Sequence, residues 1–211
     1  MKEKLALLTI AAAAMAVASP WAHADPAATF CPPVNFANGI NLAKNPSFEI
    51  MGPKGPSTSG PPWPTSPSVT IPSAAADWFV HSDNYAARVT TKWVNTMVPG
   101  GTNPARGNKM LHIVAKGGEG GVHQRFSQPP APRTLMFSAW VFVKSGRVVV
   151  QPHSGGGGPA AVSSPYHLNQ WVQLRACTDS AKPDTMIIIW SYQGGAEFFI
   201  DRVEVREVAP G

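Results

Sequence analysis

Asn41-Leu42-Ala43-Lys44-Asn45-Pro46-Ser47-Phe48-Glu49 near the start of the chain, and Phe198-Phe199-Ile200-Asp201-Arg202-Val203-Glu204-Val205 near its end, decide the reading of the fold. Each segment sets a carboxylate beside apolar residues that alternate with polar ones. That is the period of a strand with one face on a core. A fold that brings the two ends together would place Glu49 and Asp201 before a common cation.

The chain between these segments is dominated by strand signals. Leu135 to Val143, Arg147 to Gln151, Trp171 to Cys177, Met186 to Tyr192 and Phe198 to Val208 are rich in β-branched and aromatic residues. Lys109 to Ala115 and Val122 to Ser127 read as two arms of a hairpin, joined through Gly117-Gly118-Glu119-Gly120-Gly121. No segment after the first 24 residues has a convincing amphipathic helical period. Short strands separated by Gly and Pro clusters indicate an all-β chain, an antiparallel β-sandwich or barrel.

The N-terminus reads as an export signal. Lys2 and Lys4 precede an apolar run from Leu5 to Val17, and Ala22-His23-Ala24 supplies small residues for cleavage before Asp25. The run is too short for a membrane span, which takes about 20 residues. The expected organisation is a signal peptide over 1–24, an N-terminal lead-in over 25–40 and a β-sandwich domain over 41–208. The product would be secreted or periplasmic, without a membrane span, and a monomer.

Removing two lysines and one glutamate with the signal takes the 17 basic and 12 acidic residues to 15 and 11, a net charge of +4. The basic residues are scattered, with no basic stripe interleaved with stacking aromatics, so nucleic acid is not the expected partner. A weak attraction to anionic polysaccharides is compatible with this charge. Cys31 and Cys177 are the only cysteines. In an oxidising compartment one disulfide is the simple expectation, with two buried thiols as the alternative.

Gly52 to Pro72 carries seven prolines, with Trp63 among them. Proline removes ladder donors, so an extended, unpaired segment is expected, either a flexible insertion or an ordered flap over a sheet edge. Trp63 would then be a staple for the flap or a platform for a ligand.

These segments, taken in order, resemble the carbohydrate-binding modules attached to bacterial cellulases and xylanases. The opening Asn-Leu-x-x-Asn-Pro-x-Phe-Glu matches Asn41 to Glu49. Asp77-Trp78, Gly107 to Ile113, Val122-His123-Gln124-Arg125-Phe126, Leu135 to Lys144, Gln170-Trp171-Val172 and Phe199 to Val205 match later strands of that family in its order. Arg202 stands where an Asp is common. The resemblance implies a galactose-binding-like jelly roll and a non-catalytic carbohydrate-binding function toward a polysaccharide or oligosaccharide. It also implies a structural calcium held by Glu49, Asp201 and a backbone carbonyl near Lys109. The residues alone leave another reading of Glu49 open, that it pairs with a base or caps backbone amides.

Seven tryptophans are many for this length. Flat C–H faces of sugar rings pack on aromatic rings, so Trp140, Trp190 and Tyr192, with the polar Gln151 and the flap residue Trp63, form a candidate groove on one sheet face. The alternative is that these aromatics are core, as is expected of Trp78 and Trp171.

The other acidic residues form no recognisable pair, as glycoside hydrolysis would need, so an enzyme is not expected. A protein-interaction module on the same scaffold is the main alternative, and a small glycoside hydrolase a lesser one. His112 and His123, as hairpin neighbours, would be strand residues rather than a metal pair, because no His-x-His or His-Glu-x-x-His spacing accompanies them.

Overall fold

The computed structural model describes residues 29–31, 40–60, 71–82, 87–95, 107–125, 134–153, 161–162, 167–178 and 185–209. The expected signal peptide and Trp63 lie outside these residues. Twelve strands run in chain order: β1 (Thr29–Phe30), β2 (Ser57–Gly60), β3 (Phe79–Ser82), β4 (Arg88–Asn95), β5 (Lys109–Lys116), β6 (Gly120–Arg125), β7 (Leu135–Ser145), β8 (Val148–His153), β9 (Ala161–Val162), β10 (Trp171–Thr178), β11 (Met186–Ser191) and β12 (Ala196–Glu207). No α-helix occurs among the described residues.

The strands form two sheets. One has seven strands in the order β1-β10-β7-β12-β5-β4-β2, the other five in the order β3-β6-β11-β8-β9. All pairings are antiparallel except β1 on β10. The chain changes sheet after β2, β3, β5, β6, β7, β9, β10 and β11. This alternation is that of a jelly-roll sandwich.

The core follows from period-two patterning. Leu111, Ile113 and Ala115 of β5, Phe137, Ala139 and Val141 of β7, and Phe198 and Ile200 of β12 face Val122 of β6, Val148 and Val150 of β8, and Ile187 and Ile189 of β11 in one cluster. Each fully buried Ile, Phe or Val contributes about 1.5–3 kcal/mol.

The opening motif earns its residues one by one. Asn41 donates its amide to the Val203 carbonyl and accepts from the Val205 amide, so it pairs like a strand residue beside β12. Asn45 adopts φ 44° and bonds Ile50 and Ala76, closing a turn that a longer side chain would not fill. Phe48, at φ 55°, is fully buried against Trp78 with ring centroids 5.3 Å apart. Gln124 stitches the segment to β6, accepting from the Lys44 amide at 2.7 Å and donating to the carbonyls of Lys44 and Asp77.

β5 pairs with β12 only as far as Ile200. The register of β12 against β7 then slips between Asp201 and Glu204, with Arg202 at φ 46°. Beyond that bulge the Asn41–Pro46 segment takes the place of β5, through bonds from the Leu42 amide to Val205 and from the Val203 amide to Pro46. The Asn41–Pro46 segment and the end of β12 are therefore neighbours.

Three expectations are corrected. β5 and β6 are not a hairpin: β5 lies in the larger sheet and β6 in the smaller. Both strands carry core residues, and the sandwich buries more apolar surface by setting them face to face. The proline-rich segment is not wholly unpaired, since Ser57–Gly60, which is free of proline, pairs with β4 as an edge strand. Trp78 is core, as expected, but Trp171 is half-buried on the outer face of the larger sheet. The Cys31–Cys177 disulfide is formed and ties β1 to β10.

Candidate functional site

Glu49 and Asp201 lie together at the handover between β5 and the N-terminal segment. Oε1 of Glu49 accepts the amides of Asn108 and Lys109 at 2.9 and 3.0 Å. The turn must approach closely to do this. Gly107 sits at φ 97°, and a Cβ there would stand 2.2 Å from that oxygen. Capping of backbone amides, the alternative reading of Glu49, is thus present. Lys109 contributes its amide, while its ammonium lies 4.1 Å over the Trp93 ring and donates to Asn95.

Asp201 is fully buried. Its Oδ1 accepts the Arg202 amide, and its Oδ2 has no hydrogen-bond partner among the described residues. Burial first, then repulsion from Glu49, pushes its carboxyl up to about 7. A buried, unpartnered carboxylate oxygen beside a second carboxylate fits a hard cation, which takes six to eight oxygen ligands. The described residues hold no cluster of three or more His, Cys, Asp or Glu side chains, so further oxygens would have to come from backbone.

The expected aromatic groove is divided by the fold. Trp140 on β7 alternates with the core residues Ala139 and Val141, so it faces outward from the larger sheet. Trp190 on β11 alternates with Ile189, and Gln151 on β8 with Val150, so both face outward from the smaller sheet. Trp140 and Trp190 therefore stand on opposite sides of the sandwich and share no groove. His112 and His123 are separated in the same way.

The outer face of the smaller sheet gathers three of the expected residues. One row runs His81, Gly121, Trp190, Val149 and the next Phe79, His123, Ile188, Gln151. Gly121 lacks a side chain, so the His81 and Trp190 rings meet across it, with centroids 5.6 Å apart and planes at 83°. His123 packs against both Phe79 and His81 at 5.8 Å. Nε1 of Trp190 and Nδ1 of His123 are buried without a hydrogen-bond partner among the described residues. Burial, helped by the nearby His81 and Arg125, lowers the His123 pKa to about 3, so its ring is neutral at physiological pH. Tyr192 follows β11, with the Arg147 guanidinium 5.1 Å over its ring. The sequence does not single out Phe79, His81 and His123 as sugar-site residues. Their alternation is visible there, but the pairing of β6 with β3 and β11 is not.

The larger sheet has an aromatic row of its own, Trp171, Phe142, Phe199 and His112, each opposite the next in register. Phe199 stacks on His112 at 4.3 Å. Glu197 binds Lys144 and His112 beside it.

No family model matches the chain, and no curated protein matches it. Similar solved structures are found. A putative sugar-binding protein from Bacteroides thetaiotaomicron is 12% identical with a TM-score of 0.50, over 80% of this chain and 100% of that one. A module named TmCBM61, in complex with β-1,4-galactotriose, is 17% identical with a TM-score of 0.46, over 79% of this chain and 98% of that one. The CBM22-1 xylan-binding domain of Paenibacillus barcinonensis Xyn10C is 13% identical with a TM-score of 0.43, over 78% and 93%. The chain has a jelly-roll fold.

Proposed function

We propose that the protein is an exported, non-catalytic glycan-binding module whose ligand lies on the outer face of the five-stranded sheet. The observation that carries this reading is the wall of rings formed by Phe79, His123, His81 and Trp190, in which Trp190 Nε1 and His123 Nδ1 have no partner among the described residues, as Trp140 Nε1 has none on the opposite face. A buried polar group without a partner costs free energy that a ligand's hydrogen bond would recover. In this reading Trp190 and Phe79 pack on sugar C–H faces, the Trp190 indole N–H donates to a hydroxyl, and neutral His123 accepts or donates according to its tautomer. Gln151 and Tyr192 flank the ligand.

The four carboxylates of β12, Glu197, Asp201, Glu204 and Glu207, belong to the opposite sheet. A binding role without acid–base chemistry accords with that placement. Export accords with the disulfide, which persists in oxidising compartments. We further propose that Glu49, Asp201 and a backbone carbonyl near Lys109 hold a calcium ion that fastens the chain ends and takes no part in sugar contact.

Retention on a panel of insoluble and soluble polysaccharides tests the main reading. The wild-type protein is expected to be retained on at least one glycan. Trp190→Ala should abolish that retention with its circular dichroism and melting temperature little changed. Failure of the wild type on every glycan, or retention that survives the substitution, would refute it.

A further inference from the structure

The two outer faces differ in where their carboxylates stand. Among the described residues, the strands of the five-stranded sheet present His81, His123, Arg125 and His153 outward and no Asp or Glu. The described carboxylates lie off these strands: Glu197, Asp201, Glu204 and Glu207 on β12, Glu49 at the clasp, Asp77 before β3, and Glu119 in the β5–β6 turn, where it accepts the Gln193 amide beside Tyr192.

The cationic groups also have an arrangement. Arg125 is exposed and lies opposite Met186 at the start of β11. It makes no ion pair among the described residues. Arg147 covers Tyr192 just past the other end of β11. Six residues of strand separate Met186 from Tyr192, roughly 20 Å. Between these ends lie the rings of Phe79, His123, His81 and Trp190.

We infer that this face selects an acidic glycan, a polymer of uronic acid residues, whose rings pack along the aromatic floor while its carboxylates meet the guanidinium groups at the ends. The inference rests on the glycan-binding reading of the same face. A planar guanidinium presents a fork of donors that matches a carboxylate, which favours uronate over an uncharged sugar. Positive charge on a surface concentrates ligands of the opposite sign.

The test uses the mature chain in titrations with polygalacturonate, the same polymer after carboxyl reduction, neutral xylan and β-1,4-galactan, and dextran sulfate. Polygalacturonate should bind, should weaken as salt is raised, and should lose affinity on carboxyl reduction. Arg125→Gln should weaken it about tenfold, the scale of one charged hydrogen bond. Lys92→Gln, which removes the same charge from the opposite face, should leave it unchanged, and Trp190→Ala should abolish it. Equal or tighter Trp190-dependent binding of the reduced or neutral polymers would overturn the acidic specificity and leave the glycan-binding reading standing. Equal binding of dextran sulfate that ignores Trp190→Ala would reveal a general attraction for polyanions and overturn it as well. Binding of none of these polymers would overturn the acidic specificity; the polysaccharide panel then decides the wider reading.

Discussion

Replacing Asp201 by Asn tests the clasp at its most unfavourable group. The carboxyl is fully buried and pushed from 3.8 to about 7, by burial first and by Glu49 after it. Asn keeps the acceptor for the Arg202 amide and resembles the protonated acid in shape. The folded chain binds this proton more tightly than the unfolded chain does. Stability from this group is therefore complete below about pH 4 and falls as pH rises through 7. At about 1.4 kcal/mol per pH unit, the gap amounts to about 4 kcal/mol. For a chain of this size that is roughly 10 °C in melting temperature. Scanning calorimetry in chelator between pH 4 and pH 8 should show the wild type losing stability relative to Asp201→Asn, until the variant is the more stable near pH 8. Added calcium at pH 8 should then raise the wild type and leave the variant nearly unmoved, because the ion binds the folded state. Parallel curves for the two proteins in chelator would refute the account of Asp201. A wild type indifferent to calcium would refute the metal.

Two further changes probe the frame. Cys31→Ser opens a loop with a sequence separation of 146 residues, and the chain-entropy model sets its cost at about 4–5 kcal/mol, read as a lowered midpoint in urea. Gly121→Ala would set a Cβ 2.0 Å from the Ile189 carbonyl oxygen and 2.6 Å from the Trp190 Cα. It should cost about 1–3 kcal/mol in chemical denaturation and weaken retention on whichever glycan the wild type binds, by displacing β11 from β6.

Much of the fold is legible in the amino-acid sequence. Period-two patterning in Leu135 to Val143 and Phe198 to Val205 names the residues that face the core, because a strand turns alternate side chains to opposite faces whatever its partners. The terminal motifs also announce their neighbourhood: Asn41 bonds β12 and Glu49 lies near Asp201, while Asn45 and Phe48 reach Ala76 and Trp78. The pairing of Cys31 with Cys177 needs no geometry, since no other cysteine competes.

Partner choice is another matter. The glycine-rich turn at 117–121 suits a hairpin and a change of sheet equally well, and only burial of Leu111 and Ile113 against Val122 and Ile189 selects the second. That choice sends His112 and His123, and likewise Trp140 and Trp190, to opposite sides of the sandwich. Sequence alone named most of the residues that face the core, though not the outward turn of Trp171. The tertiary structure decided which of them meet, because a strand's alternation is a property of its own backbone, while its neighbours are set by how two sheets bury the most apolar surface together.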